Sequence, residues 1–394
     1  MVHKSPALFA LSLLAVQPMI AFPVNADEID PKIPPGYHPE RAKDEKGIWM
    51  ELRDYERQIR QSALLVKDPH LNEYVGAVVC RVAGDYCPDI RVYVIRNPGF
   101  NASMAANGMM QIWTGFLVRA TTTDEVAVVI GHEIAHYTRL HTLERFRGIK
   151  SGLAAGQFID FAAAVLAGVS VPAAQVTAIL SILAYSRGQE AEADFLGTRL
   201  IADAGYDPHA SHRVWKMLIA EEQAAVVKRR KPNIFTKTHP SPEKRAEDLE
   251  EWVTSRYGPE ASGSAIDEEY IDFLNEHYLF LMEDQLDTNR FGRTQEMLLR
   301  HEEIGVAPAL TSYFLGEMYR QRSDSGDHEL AMSAYQKSID HGDPPPEAYK
   351  SLGYLYLKSD DIVNACENFV RYLDAKPDAT DRAMIEFYLK GDAQ

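Results

Sequence analysis

The chain has 394 residues, 46% of them hydrophobic, with 41 Lys and Arg against 57 Asp and Glu and a formal net charge of −16. That length is enough for two domains and a substantial core. An acidic chain with no basic stripe binds nucleic acid poorly, so nucleic acid is set aside as a partner.

The first 26 residues read as a secretory signal peptide. Lys4 is the basic start, Ala7 to Phe22 the apolar stretch, and Val24-Asn25-Ala26 a small-residue cleavage site. Cleavage after Ala26 would leave a mature chain beginning at Asp27. Pro18 and the modest length argue against a membrane anchor. Residues 27–47 are rich in Pro and charge and are expected to be extended. From about 48 to 255 the pattern is mainly helical, with strand candidates at 91–96 and 109–113. Cys80 and Cys87 flank a short turn ahead of the first strand. In an oxidising compartment they would pair, closing a small loop worth roughly 2–3 kcal/mol; otherwise they are two thiols. Cys366, in a later helix, reads as a buried small hydrophobe.

Thr122 and Glu125 form a helix-start pattern, T-x-x-E, ahead of Val126, Val128, Val129 and Ile130. The run is apolar on nearly every side, which predicts a buried helix. It continues into His132-Glu133-Ile134-Ala135-His136, an H-E-x-x-H motif typical of zinc metallopeptidases. Residues four apart share a helix face, so both imidazoles can bind one metal ion with Glu133 beside them as general base. Polar groups on a buried helix are costly unless something pairs them, and a metal would. A catalytic zinc keeps three protein ligands. Glu190 and Asp194, again four apart, supply a candidate third ligand and a carboxylate to orient a ligand histidine. The alternative for Glu190 is a solvated acidic face. Glu192 is displaced about 200° around that helix and should face elsewhere.

Residues 152 to 185 are unusually apolar, but Asp160 and Pro172 interrupt them. Neither half reaches the ~20 uninterrupted apolar residues of a membrane span, so a buried or membrane-touching helical hairpin is expected. Asp207-Pro208 and Ser241-Pro242 read as helix starts with Pro at the first helical position. Lys228-Arg229-Arg230-Lys231 reads as a solvated loop. Tyr257 to Ser264 is a linker by composition. Beyond it, Ala331 and Ala365, and Tyr335 and Phe369, repeat at the 34-residue period of a tetratricopeptide unit. Gly316 to Gly353 is 37 residues, which places three extra residues near Ser323–Asp327. A helical pair at 266–304 and a capping helix at 380–390 would flank the two clear units.

H-E-x-x-H followed by S-R-x-x-E-x-x-A-D at Ser186–Asp194 resembles the gluzincin family of the CAAX prenyl protease and the HtpX heat-shock protease. The resemblance covers roughly residues 40 to 255. It implies His132, His136 and Glu190 as ligands of one zinc per chain, Glu133 as catalytic base and Asp194 as a second functional carboxylate. Arg139 and Thr142 stand where a metzincin needs Gly and His, so that class is excluded. Asn101-Ala102 through Gly108, Met110 and Trp113 resembles the family's strand ahead of the zinc helix. Such an edge strand pairs with extended substrate; the alternative is a plain core strand. Thr238-His239-Pro240 with Arg245 resembles the family's H-P-x-x-x-x-R segment. His239 would then be a fourth or regulatory zinc ligand, and Arg245 a substrate or oxyanion contact.

The expected architecture is α+β, mainly helical with a small sheet. After the signal peptide (1–26), a zincin-like metallopeptidase domain (27–257) precedes a tetratricopeptide-like helical domain (266–394). The expected function is that of a periplasmic zinc endopeptidase acting on unfolded or misassembled envelope proteins, in outer-membrane protein quality control. Its repeats would recruit a protein partner, and peripheral membrane contact would come through 152–185. The alternative is a repeat-based adaptor or chaperone with weak or autoinhibited proteolysis.

Overall fold

A computed structural model describes residues 28–39, 43–148, 185–225, 235, 238–239, 242–260 and 266–391. The signal-peptide reading at 1–26, the apolar segment 152–184 and the basic run 228–231 lie outside these residues. Among those described, no helix is long and apolar enough to cross a membrane.

The expected extended stretch is shorter than 27–47, because helix α1 (Lys43–Gln61) already begins within it. Lys and Glu are good helix formers, and Leu52, Tyr55 and Ile59 recur on one buried face. Helix α2 (Pro69–Ala83) is capped by Asp68, whose side chain accepts from the Leu71 amide at 2.9 Å. A 3₁₀ turn at Gly84–Asp89 follows, and a disulfide joins Cys80 of α2 to Cys87 of this turn.

The sheet has three strands, β1 (Arg91–Ile95), β2 (Ala102–Met104) and β3 (Met109–Trp113), in the order β1-β3-β2. β1 runs parallel to β3 and β2 antiparallel to it, so β3 is central and wholly buried. This corrects the reading of 101–113 as one edge segment. Met110 faces Val92 on one side and Met104 on the other, and its backbone has no open edge for a substrate. Gly108 sits in the β2–β3 turn at φ +82°, where a Cβ would lie 2.1 Å from the Asp89 carbonyl oxygen. It serves the turn rather than a ligand.

After a short α3 (Thr114–Leu117) comes α4 (Thr123–Thr138), buried from Glu125 to its end. The Thr122 hydroxyl caps the Glu125 amide at 3.2 Å, while the Glu125 carboxylate takes the amide and hydroxyl of Thr121. Helices α5 (His141–Gly148), α6 (Arg187–Asp203), α7 (Ala210–Gln223) and α8 (Pro242–Tyr257) complete the first domain. α6 opens with a reciprocal Ser186–Gln189 box. α7 starts two residues later than Asp207-Pro208 suggested, because Asp207 holds the His209 amide in a turn at 2.9 Å.

The C-terminal half is a succession of helices: α9 (Glu268–Leu286), α10 (Phe291–Ile304), α11 (Pro308–Arg322), α12 (Asp327–Asp340), α13 (Pro346–Lys358), α14 (Ile362–Ala375) and α15 (Arg382–Gly391). α11/α12 and α13/α14 pack as pairs on equivalent contacts, Gly316 under the Tyr335 ring and Gly353 under the Phe369 ring. The three extra residues are spread out. α11 runs one residue further past its glycine than α13, the connection is one longer, and Ala331 lies one residue deeper in its helix than Ala365. Buried Glu317 ties the pairs together, accepting from Tyr335 Oη at 2.7 Å and Ser351 Oγ at 2.8 Å. Cys366 is half-buried rather than buried.

This half packs directly on the first. Arg119, beyond α3, donates to Glu221 of α7 at 2.8 Å and to Gln285 of α9 at 3.1 Å. Arg300 of α10 reaches the other oxygen of Glu221 at 2.8 Å. Tyr270 Oη donates to the Leu117 carbonyl at 2.6 Å. The main hydrophobic core draws on both halves, with members from Ile29 to Leu355.

Candidate metal centre

The site is built where α4 and α6 cross. Gly131 and Gly197 meet there, and a Cβ on Gly197 would lie 2.8 Å from the His132 amide nitrogen. Only this close approach of two backbones lets short carboxylate side chains on α6 reach imidazoles on α4.

At the crossing the structure gathers His132, His136, Glu190 and His239, all buried, with one donor atom of each within 4.8 Å of the others. His132 Nε2 is 3.0 Å from His136 Nε2 and 3.7 Å from Glu190 Oε2. His136 Nε2 is 3.8 Å from Glu190 Oε1. His239 Nδ1 lies 3.2 Å from His132 Nε2 and 3.0 Å from Glu190 Oε1. Two donors each about 2.1 Å from a tetrahedral zinc are separated by about 3.4 Å, so this donor set fits such an ion. The protonation states suit it as well. Burial and the neighbouring histidines push His136 well below the usual imidazole range, and burial brings His239 down to about 4. Both therefore carry ring lone pairs near neutrality. Burial pushes Glu190 up, but the charge of Arg245 and the hydrogen bond with His239 outweigh it and lower its pKa below the ordinary carboxylate value.

Glu133 lies beside this group. Its Oε2 accepts from the Met104 amide of β2 at 3.1 Å. Its buried Oε1 has no hydrogen-bond partner among the described residues and lies 3.6 Å from His239 Nε2. Burial, reinforced by the negative charge of Glu190, raises its pKa well above the ordinary carboxylate range. The Ala105 amide donates to the Met109 carbonyl and the Trp113 amide to the Asn101 carbonyl, so the backbone at Asn101 and Ala105, on either side of β2, faces β3. Ala102 and Met104 alternate with them, which turns their backbone toward Glu133 and the metal-ligand group. Of the expected substrate contacts, Ala102 is therefore on the outward edge, while the Asn101 carbonyl is spent inside the sheet.

Asp194 lies 3.0 Å from His132 Nδ1 and receives two hydrogen bonds from Arg245, at 2.7 and 2.5 Å. Burial pushes its pKa up, but Arg245 and His132 together bring it down to about 2. Arg245 is not aimed at a substrate, which corrects the oxyanion reading. Its Nη1 is 2.5 Å from Glu190 Oε2, and its guanidinium lies over the Trp215 ring at 3.8 Å. Its guanidinium is ion-paired with both carboxylates of α6, Glu190 and Asp194.

Three partners escaped the sequence reading. His141 Nδ1 is 2.9 Å from His136 Nδ1, and its Nε2 is 3.1 Å from Glu192. Arg139 grips the same Glu192 oxygen at 2.7 Å. Glu192 does face away from the four donors, yet through His141 it orients one of them. Tyr185 stacks on His136 with ring centres 3.8 Å apart. Helical spacing hides His141, because Leu140 at φ +60° breaks the helix and turns the chain back.

Residues 66–253 match the model of peptidase family M48. The putative beta-barrel assembly-enhancing protease of Vibrio cholerae is 30% identical over 208 residues, which is 50% of this chain and 42% of that protein. Mitochondrial metalloendopeptidase OMA1 of Schizosaccharomyces pombe is 32% identical over 187 residues, 46% of this chain and 52% of its own. The beta-barrel assembly-enhancing protease of Escherichia coli is 28% identical over 214 residues, 51% and 43% of the two chains. The chain thus spans about half the length of these relatives, and the span matched by the family model contains His132, His136, Glu190 and His239. A buried H-E-x-x-H helix, a carboxylate brought beside it by a second helix and the matched span lead to one conclusion: residues 66–253 are similar to the metallopeptidase domain of peptidase family M48.

Proposed function

We propose that this chain is a zinc-dependent endopeptidase of the cell envelope that cleaves unfolded or misassembled polypeptides during outer-membrane protein assembly. The observation that carries the reading is Glu133. It is pinned through one oxygen to an edge strand, while its other oxygen lies beside the metal-type donors with no hydrogen bond among the described residues. Export is supported by the leader pattern at 1–26 and by the Cys80–Cys87 bond, which belongs in an oxidising compartment such as the periplasm. The names of the bacterial relatives point to β-barrel assembly.

Zinc held by His132, His136 and Glu190 would supply Lewis acidity toward water and the scissile carbonyl. Glu133 takes the proton of the attacking water on Oε1 and returns it to the leaving amine. The Met104 amide keeps that carboxylate in place. Asp194 fixes the tautomer of His132, and His141 fixes the ring of His136. The outward edge of β2 at Ala102 pairs with an extended substrate backbone, which selects unfolded segments. The helical repeats present a surface for a protein partner or a client.

His239 favours a held-back version of the same enzyme. A catalytic zinc needs an open position, and a fourth protein donor closes the shell. With His239 swung away the enzyme is competent; with it in place the chain acts chiefly as an adaptor.

Casein cleavage by the zinc-loaded chain tests the proposal. Glu133→Gln should bind zinc at the same stoichiometry and lose about 10²–10⁴-fold in rate. Cleavage by Glu133→Gln at the wild-type rate would reject it.

A further inference from the structure

A second group of metal-type donors stands apart from the first. His209, at the start of α7, His212, in its first turn, and Glu260, beyond α8, place one donor atom each within 4.8 Å of one another. Both histidines are buried, with 6% and 2% of their surface exposed. Neither ring finds a partner for its buried Nδ1 among the described residues. The rings stand perpendicular, with centres 5.9 Å apart. His212 Nε2 and Glu260 Oε2 are 3.6 Å apart, beyond hydrogen-bond distance but near the ~3.4 Å between two ligands of a tetrahedral zinc. Three donors converge, yet none bonds another directly. Two buried, under-satisfied imidazoles side by side carry a desolvation cost that a plain helix start does not explain.

We propose that His209, His212 and Glu260 bind a second divalent cation of the zinc class, with water completing the shell. Imidazole and carboxylate donors select a borderline ion over calcium or magnesium. The surroundings carry the charge. Arg213 is shared between Asp207 and the second oxygen of Glu260, and Lys216 is paired with Glu250. Two cationic side chains thus face three carboxylates, so a dication enters a locally acidic neighbourhood. The position suggests a structural role. The ion would staple the start of α7 to the chain leaving α8, where the peptidase domain hands over to the helical repeats.

Metal stoichiometry of the full mature chain tests this, with zinc alone as the probe after chelator stripping. The wild type should bind two equivalents. Glu190→Ala should keep one, and in that variant added zinc should still raise the melting temperature. Glu260→Gln alters an exposed residue and leaves the fold intact. It should weaken the second equivalent by more than about tenfold while casein cleavage stays unchanged, since even an outer partner of a metal site is worth 10–100-fold. His212→Gln with Glu190→Ala should bind none. A wild type that binds a single equivalent, lost entirely in Glu190→Ala, would overturn the second site and leave the first intact. So would a Glu260→Gln chain that binds both equivalents as tightly as the wild type.

Discussion

At the scale of single residues, the four donors divide into a pair held by second partners, a neutralised carboxylate and a fourth donor, His239. His132 is held by Asp194 and His136 by His141, whereas His239 comes from a short segment outside the long helices. It rests against the Phe235 ring at 4.4 Å. His239→Ala is therefore expected to raise casein cleavage several-fold with zinc content unchanged, because three ligands remain and one position opens. A slower enzyme would make His239 a catalytic group instead. His141→Phe keeps the ring volume but removes both nitrogens. Zinc affinity, measured by competition with a chelator, should fall about 10–100-fold. Unchanged affinity would leave His141 a packing residue only.

At the scale of elements, the centre depends on how closely α4 and α6 approach. Gly197→Ala forces a methyl into backbone atoms 2.8–2.9 Å away, none of which can rotate aside. Overpacking of this kind costs about 1–3 kcal/mol, and the separated helices should also bind zinc less tightly. Gly76, in the middle of α2, is the control. Nothing lies within 4 Å of a Cβ there, so Gly76→Ala should stabilise by about 0.5–1 kcal/mol through helix propensity alone. Urea denaturation of the two variants should move in opposite directions. The same element-level logic explains the sheet. β3 is apolar at four of its five positions and buried at all of them, which is how a central strand reads, while three-residue β2 is left as the edge facing Glu133.

At the scale of the whole molecule, the two halves share a core rather than a hinge. Deleting 266–394 looks like a clean test of the repeats, but it would strip Tyr270, Phe273 and Leu274 from the first domain and leave Arg119 and Glu221 without several partners. Point variants are the better probe. Arg119 is buried and bonded to Glu221, Gln285 and two backbone carbonyls. Arg119→Ala should destabilise by up to about 3–5 kcal/mol, the cost of breaking a buried ion pair, less what Arg300 still gives Glu221. The loss should appear in one cooperative denaturation transition covering both halves. Two separate transitions would show that the halves fold independently. Glu221 and Glu222 lie in the last turn of α7, and both are held by arginines of α10, Arg300 and Arg293.

The sequence by itself determined what depends on local periodicity. The i,i+4 spacing of His132 with His136, and of Glu190 with Asp194, puts each pair on one helix face whatever surrounds it. The 34-residue spacing of Ala331 with Ala365 likewise marks paired helices. Tertiary structure alone decided what depends on backbone direction and on neighbours distant in sequence. A left-handed Leu140 turns His141 onto His136. Strand order makes β2 the edge and buries Met110. Two carboxylates on α6 capture Arg245, and a return of the chain brings Glu260 to His209 and His212, about fifty residues before it. No local pattern encodes these, because each is set by where separate elements cross, and that follows from which buried surfaces fit together.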